Sequence, residues 1–308
     1  MMFHDVVLVS HDNEDQEDKP NEIHDEVLKR VNKSGVRKSI HAITTYAIKN
    51  LKHSLRYPGS WLYWMLVPML WLVPYAFQGR ALIEGTESDF FRQFGGTGDY
   101  FSYVAIGIIL FNIVDAAIWG SGNRLRWEQK SGTFEFLWMS PVSRSELLLG
   151  ASLSELGWIV FVCTGQFLIL NSILSWSFTI VQVLLAMLVI LVTLIGLFGF
   201  SFLFASIILV FKEPGTLTEL TEASLNILLP VRYPLQVLPS YIRWVGYVIP
   251  FAYGFLAFRA FTIAYNLRLG ALYISLLFLL SVIMWIGGVK LFAKIEHRTR
   301  STGQLGVY

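Results

Sequence analysis

The chain has 308 residues, of which 54% are hydrophobic and only 15% are charged, and its formal net charge is +2. Soluble domains carry roughly 25% charged residues, so this charge deficit and the mean hydropathy of +0.54 exclude an ordinary soluble enzyme. The small net charge gives no support for nucleic-acid binding. Residues 1–40 hold nine acidic and six basic side chains, so a polar head precedes a very apolar body.

The acidic residues of this head are concentrated between residues 11 and 26. A segment with so little apolar content cannot bury enough surface to offset the entropy lost when it becomes ordered. Residues 1–36 are therefore predicted to form a polar, disordered cytoplasmic tail. A docking arm for a partner protein is the alternative.

From residue 37 the pattern becomes amphipathic, with apolar and polar side chains recurring at helical steps of three and four. The apolar stripe consists of Ile40, Ile43, Ala47, Ile48, Leu51 and Leu55, and the opposite face carries Lys38, His41, Thr45, Lys49, Lys52 and Arg56. This pattern is typical of a helix that lies in the membrane interface. Residues 37–57 are predicted to be such a helix, with packing on a soluble partner as the alternative.

The apolar body contains segments long enough to cross a hydrocarbon core of about 30 Å. Five spans are predicted at 61–77, 100–119, 147–176, 180–211 and 271–291. A sixth is predicted at 216–233, in a region that is interrupted by Pro230, Pro234, Pro239 and Pro250. Because proline removes a backbone donor and kinks helices, short helices that re-enter the outer leaflet are predicted after the sixth span. The membrane domain is predicted to cover residues 58–292.

The distribution of lysine and arginine predicts the orientation of these spans. With six spans, 18 basic residues fall on one side of the membrane and six on the other. Both termini are therefore predicted to be cytoplasmic in a multi-pass plasma-membrane protein. Residues 293–308 are then a cytoplasmic tail, and the loop after the second span is cytoplasmic too.

Polar residues inside the spans are few. Asp115 is interpreted as the one acidic residue well inside a span, with Asn112 and Trp119 on the same helical face. Because an ionisable residue in the membrane indicates a function by default, Asn112 and Asp115 are predicted to line a transport pathway. The alternatives are that Asp115 pairs across a dimer or is reached by water, one turn from the cytoplasmic end, and that Asn112 joins helices by a hydrogen bond. All six histidines lie outside the spans and Cys163 is the single cysteine, so no metal or catalytic site is predicted.

The loop between the second and third spans carries the most distinctive pattern. Residues 123–150 read NRLRWEQKSGTFEFLWMSPVSRSELLLG. Ser143 followed by Glu146 is a capping-box pattern before an apolar run, and Gly132 and Pro141 bracket an aromatic run. A short helical hairpin with exposed aromatic side chains is predicted, and an exposed apolar surface indicates docking.

This loop resembles that of the permease subunits of type-2 ABC exporters. In that family a Glu, a Gly-Thr-hydrophobic-Glu run and a Ser-Pro-Val-Ser-Arg run follow the second span. The matching residues here are Glu128, Gly132, Thr133, Phe134, Glu135, Ser140, Pro141, Val142, Ser143 and Arg144. A proline-broken stretch before a re-entrant outer helix is similar too, and Tyr233-Pro234 and Leu238-Pro239 match it. The resemblance covers about residues 37–295.

The resemblance implies an all-α integral membrane fold of six transmembrane helices, with an N-terminal interface helix, a cytoplasmic coupling helix and outer-leaflet re-entrant helices. It also implies two permease chains, as a homodimer or a heterodimer, with a pathway at their interface. Two separate ABC ATPase subunits would bind ATP and Mg²⁺ and receive the 132–144 loop. The chain has no G-x-x-x-x-G-K-[ST] phosphate loop, so it is predicted to be a transport subunit without a cofactor of its own and not an enzyme.

The function implied is ATP-driven export of a lipid, a drug or another amphiphile. A lipid-linked polysaccharide exporter of the same family is an alternative. The other alternative is an ion-coupled secondary transporter with Asp115 as the carrier. Such transporters have internal repeats with paired broken helices, and only one proline-broken region is present here.

Overall fold

The computed structural model of the protein describes residues 38–82, 89–130, 144–211 and 214–301, and every regular element in these ranges is helical. The elements are α1 (38–55), α2 (Pro58–Leu70), α3 (Leu72–Leu82), α4 (Asp89–Gly95), α5 (Tyr100–Lys130), α6 (Arg144–Leu174), α7 (Ile180–Phe211), α8 (Pro214–Leu228), a 3-10 turn (Leu235–Val237), α9 (Ser240–Val248), α10 (Pro250–Thr262) and α11 (Leu267–Ser301). The prediction of an all-α fold is confirmed for the described residues. The predicted tail 1–36 lies outside them.

Five helical stretches are long and apolar enough to cross a membrane. They are Pro58–Gly79, Tyr100–Gly120, Leu149–Leu174, Ile180–Ile208 and Leu267–Ile295. Each coincides with one of the five apolar spans predicted from the sequence. The helices α9 and α10 meet at an angle of 87°, and this bent pair gives a sixth crossing if it is counted as one span. The protein is a multi-pass membrane protein.

The sixth span was predicted at 216–233, and a membrane crossing there stays a prediction. The helix found there, α8, has 15 residues and ends at Leu228. It contains Glu219 and Glu222 and is not among the helices of spanning length and hydropathy. Because the residue before a proline avoids helical geometry, Pro230 and Pro234 keep the backbone from 229 to 234 irregular.

The helix α5 lies at the centre of the bundle. Within its span 67% of the residues are buried, against 17% in the spans of α7 and α11. It packs against α6, α7, α8 and α10. Its fully buried side chains include Tyr103, Val104, Val114 and Ile118. The outer helices α7 and α11 pack against each other and leave many of their apolar side chains exposed.

Pro68 lies inside α2, and a side chain of another helix compensates for the backbone hydrogen bond that this proline removes. Proline has no N–H for the carbonyl four residues earlier, which is that of Trp64. Gln166 of α6, only 1% exposed, donates from Nε2 to the carbonyl oxygens of Trp64 at 3.2 Å and Met65 at 3.3 Å. Its Oε1 accepts a hydrogen bond of 2.9 Å from Asn112 of α5. One buried amide therefore joins α2, α5 and α6.

The amphipathic segment is helical from 38 to 55. Tyr46 and Ala47 are buried. The helix α1 packs on the start of α6, as the space at Gly150 shows: a Cβ there would lie 2.9 Å from the Ile43 carbonyl oxygen. The remaining apolar residues Ile40, Ile48 and Leu55 and the basic face stay exposed. The placement of this helix in the membrane interface stays a prediction.

The helices α7 and α11 approach each other through two glycines. A Cβ at Gly199 would lie 2.5 Å from the backbone nitrogen of Trp285, and a Cβ at Gly288 would fall on the carbonyl oxygen of Gly199. The neighbouring Gly287 has no atom of another element within 4 Å of its Cβ position. The close contact therefore depends on the first two positions and not on Gly287.

We expect Gly288→Ala to push α7 and α11 apart and to lower the free energy of unfolding by about 1–3 kcal/mol, the usual effect of overpacking. The measurement is the Tm of the purified protein in detergent. Gly287→Ala, one residue away on the same helix, is the matched control and should leave the Tm unchanged. Equal Tm values for the two variants would contradict this helix contact.

Candidate functional site

The helix α8 runs antiparallel to α5 and lies along much of its span. At one end, the indole N–H of Trp119 donates to Oε2 of Glu222 at 3.0 Å. Toward the other end, Gly107 faces the backbone of Val231 so closely that a Cβ there would fall on the Val231 carbonyl oxygen. The side chains of α8 that face α5 therefore lie beside the middle and the end of the second span.

Asp115 lies at this contact and is half-buried. Its Oδ1 is buried and has no hydrogen-bond partner among the described residues. Its carboxyl group interacts with the Trp119 side chain and lies within electrostatic range of Glu222. The structure thus brings two carboxyl groups from separate helices to one indole ring.

Glu222 was not predicted as a site residue, although it lies within the predicted span 216–233. The signal was present in the sequence. Thr218, Glu222 and Asn226 recur at steps of four, which places them on one face of a helix. The Oδ1 of Asn226 is also buried without a partner among the described residues. Asp115, Trp119, Glu222 and Asn226 are called the polar seam below.

The two residues predicted to line a pathway have different surroundings. Asn112 donates to Gln166 and so belongs to the contact between α5 and α6. Asp115 belongs to the polar seam between α5 and α8. A role in transport for either residue stays a prediction, and the geometry favours Asp115 because the amide of Asn112 is already hydrogen-bonded.

The four prolines of the broken region have distinct positions. Pro234 directly precedes the 3-10 turn, Pro239 is the N-cap of α9 and Pro250 is the first residue of α10. Proline suits helix starts because the first backbone N–H groups have no intrahelical acceptor there. The sharp bend between α9 and α10 falls at Ile249. Pro230 contributes its carbonyl oxygen to a buried contact instead.

That contact is formed by Arg259 of α10, whose side chain is only 3% exposed. Its Nη1 donates to the Pro230 carbonyl at 2.6 Å, and its Nη2 donates to the carbonyls of Tyr103 at 3.0 Å and Val231 at 3.2 Å. The guanidinium carbon lies 3.6 Å from the Tyr103 ring centroid. Gly107 allows the backbone at Val231 to reach α5. These contacts, called the Arg259 hub, join α5, the irregular backbone and α10.

The Arg259 hub supplies hydrogen-bond donors to backbone carbonyls of the irregular segment that have no helical partner. Irregular backbone at membrane depth is tolerated only where protein groups satisfy it. No carboxylate of the described residues pairs with Arg259; its hydrogen bonds go to backbone carbonyls and its charge lies over an aromatic face. From the sequence, Arg259 is only one of the basic residues that indicate the orientation, because nothing in its local pattern identifies carbonyl partners in distant segments.

Most of the family loop lies outside the described residues. This holds for Gly132, Thr133, Phe134, Glu135, Ser140, Pro141, Val142 and Ser143. Glu128 lies in the last turn of α5, and Arg144 is the first residue of α6. The apolar stretch of α5 ends at Gly120, and residues 121–130 continue the helix for about 15 Å. The loop therefore joins two helices that extend beyond their apolar stretches.

A multi-pass helical bundle with polar groups between two of its helices is typical of a membrane transport subunit. Residues 42–263 match the family model described as ABC-2 type transporter, and the chain belongs to this family. A search of curated proteins found no match to the chain. Members of the family are transport membrane subunits that associate with an ABC ATPase.

We expect Arg259→Lys to lower the free energy of unfolding by about 1–3 kcal/mol, because an ammonium group cannot reach three carbonyls at once and leaves buried acceptors unsatisfied. The measurement is the Tm in detergent. Arg268→Lys, at an exposed position of α11, is the matched control. A Tm for Arg259→Lys equal to that of this control would contradict the hub.

We expect Asp115→Leu to reduce transport about tenfold, the equivalent of ~1.4 kcal/mol, because it removes a carboxyl group from the polar seam. Asp115→Asn, which keeps a polar group of the same size, should reduce it less. The measurement is efflux of an NBD-labelled phospholipid and of ethidium from proteoliposomes that contain the chain and its ATPase. Glu219→Gln, an exposed position on α8, is the control. Normal efflux in both Asp115 variants would refute a pathway at Asp115.

Proposed function

We propose that the chain is the permease subunit of an ATP-driven exporter that moves a lipid, a drug or another amphiphilic substrate outward. The observation that carries the proposal is that the two helices flanking residues 131–143 extend beyond their apolar stretches. The chain that contains them belongs to the ABC-2 type transporter family. A loop that joins two such helices can receive a force from a soluble ATPase and transmit it to the membrane spans.

The coupling residues are those of the family motif, from Glu128 through Gly132–Glu135 to Ser140–Arg144. They seat in a groove of the ATPase, with the aromatic run buried and the charges at its rim. Two ATPase copies serve two permease chains, which form a homodimer or a heterodimer. ATP and Mg²⁺ bind to the ATPase, and this chain holds neither.

The substrate pathway lies at the interface of the two permease chains and includes the polar seam. Support comes from Asp115 and Asn226, each with a buried oxygen that lacks a partner among the described residues. Such groups are costly in an apolar environment, and a pathway gives them water or substrate as partners. Asn112 contributes by fixing α5 against α6.

The orientation follows the basic residues, with both termini cytoplasmic in the plasma membrane. Residues 1–36 form the polar tail, 37–57 the interface helix, 58–292 the membrane domain and 293–308 the C-terminal tail. The exposed Ile40, Ile48 and Leu55 of α1 support the interface helix, since lipid would give them an apolar partner. The bent pair α9–α10 forms the re-entrant region of the outer leaflet.

A lipid-linked polysaccharide exporter is the alternative within the family. An ion-coupled secondary transporter is the alternative to ATP-driven export. The observation in its favour is that the carboxyl groups of Asp115 and Glu222 lie within electrostatic range of each other. Vanadate separates the two mechanisms. Transport that requires the ATPase partner and is abolished by vanadate supports the exporter, and vanadate-resistant transport by this chain alone supports the ion-coupled mechanism.

We expect co-expression with the ATPase to reconstitute ATP hydrolysis, and Glu135→Arg with Arg144→Glu to uncouple hydrolysis from transport, because the charges at the rim of the loop are inverted. The measurements are ATPase activity, efflux and co-purification of the two proteins. The same exchange on α4, Asp89→Arg with Arg92→Glu, is the control at the far side of the membrane. Unchanged assembly and transport in the loop variant would refute the coupling role.

A further inference from the structure

We propose that Arg232, together with Tyr75 and Tyr100, binds the phosphate headgroup of a phospholipid-like amphiphile. These three residues are called the headgroup site. It lies at the end of the α5 span opposite the 131–143 loop. The proposal deepens the proposed function by naming the headgroup chemistry of the substrate class, and it rests on that function only for the step from binding to transport.

The guanidinium group of Arg232 has no anionic partner among the described residues. Its carbon lies 4.9 Å from the centroid of the Tyr75 ring. The side chain is half-buried, and its Nε is buried without a hydrogen-bond acceptor. A guanidinium group has five donors in a planar fork. Stacking on one ring leaves these donors available for a ligand with several acceptor oxygens.

The position of Arg232 is fixed by its neighbours in the chain. The carbonyls of Pro230 and Val231, the two preceding residues, are held by Arg259 in the hub. The hydroxyl of the next residue, Tyr233, donates to the carbonyl of Ile227 at 2.9 Å. Arg232 is therefore carried on a short segment that is anchored on both sides, which gives the site a defined geometry.

Three tyrosines lie near the cation. Arg232 lies over the Tyr75 ring and within electrostatic range of Tyr100 and Tyr233. The Tyr100 ring packs edge-on against Phe91 with centroids 5.0 Å apart. The hydroxyls of Tyr75 and Tyr100 make no hydrogen bond within the described residues, so both are free to donate to an anion.

The local electrostatics favour an anion at this site. Arg259 is buried nearby, and neither it nor Arg232 meets a carboxylate of the described residues. Two cations in an apolar region are expensive to keep without a counter-ion. A phosphate diester offers charge and oxygens for the guanidinium fork, and further oxygens for the hydroxyls of Tyr75 and Tyr100. Lipid is the source of phosphate that is always present at this depth.

A carboxylate of the chain itself is the competing occupant. Glu84 and Glu87 belong to the connection between α3, which carries Tyr75, and α4, and they lie outside the described residues. If one of them paired with Arg232, the wild-type chain would bind phosphate poorly and removal of both carboxylates would improve binding. The experiment therefore includes the variant Glu84→Gln with Glu87→Gln.

The test titrates the purified full-length chain in dodecyl maltoside with dioctanoyl-phosphatidylglycerol and follows its Tm. Dioctanoylglycerol, which lacks the phosphate, and glycerol phosphate, which lacks the acyl chains, are titrated in parallel. We expect phosphatidylglycerol to raise the Tm saturably, glycerol phosphate to act more weakly and dioctanoylglycerol to have no effect. Arg232→Gln should weaken phosphatidylglycerol binding about tenfold or more, and Arg232→Lys, which keeps the charge, should weaken it less.

The control is Arg268→Gln, which removes the same charge at an exposed position of α11 and should leave binding unchanged. Equal binding in the Arg232→Gln and Arg268→Gln variants would overturn the proposal, as would improved binding in the Glu84→Gln, Glu87→Gln variant. Glycerol phosphate binding as tight as that of the lipid would overturn the lipid assignment. Because the assay uses neither transport nor ATP hydrolysis, its outcome is independent of whether the chain is an exporter.

Discussion

Backbone carbonyls that lose their helical partners at membrane depth are the constraint on which this bundle depends. Pro68 and the end of α8 are two of these places among the described residues. Pro68 leaves the Trp64 carbonyl without its donor, and the chain leaves helical geometry after Leu228. A buried side chain from a distant segment satisfies each of them, Gln166 in the first case and Arg259 in the second. Because no water replaces a missing donor there, these two side chains determine which helices are neighbours.

The polar seam depends on the second of these contacts. The Arg259 hub holds the backbone at Val231 against Gly107 and thereby sets α8 alongside α5. With the end of α8 fixed in this way, Glu222 lies at the level of Trp119 and close to Asp115. The position of the polar seam therefore depends on the hydrogen bonds that Arg259 donates to backbone carbonyls about two helical turns away.

The sequence predicts the features that depend on local pattern. The five apolar spans are found where hydropathy places them, because a run of about 20 apolar residues has few stable alternatives to crossing the bilayer. The sixth, at 216–233, is not one helix of spanning length, because α8 ends at Leu228 before the prolines and carries acidic residues. The hub could not be predicted, since Arg259 and Tyr103 are 156 positions apart and a guanidinium group that binds carbonyls leaves no periodic signal. Glu222 could have been found from its spacing with Thr218 and Asn226.

The continuity of α5 links the two ends of the molecule. It is a single helix of 31 residues without proline, about 46 Å long at 1.5 Å per residue. One end leads into the 131–143 loop and the other contributes Tyr103 and Gly107 to the hub, while Asn112 in the middle is bonded to Gln166 of α6. A displacement of the loop end therefore moves α5 and α6 together, since bending α5 alone would break the buried amide pair. The motion that reaches the hub and the polar seam is then a tilt of this helix pair and not a change within one helix.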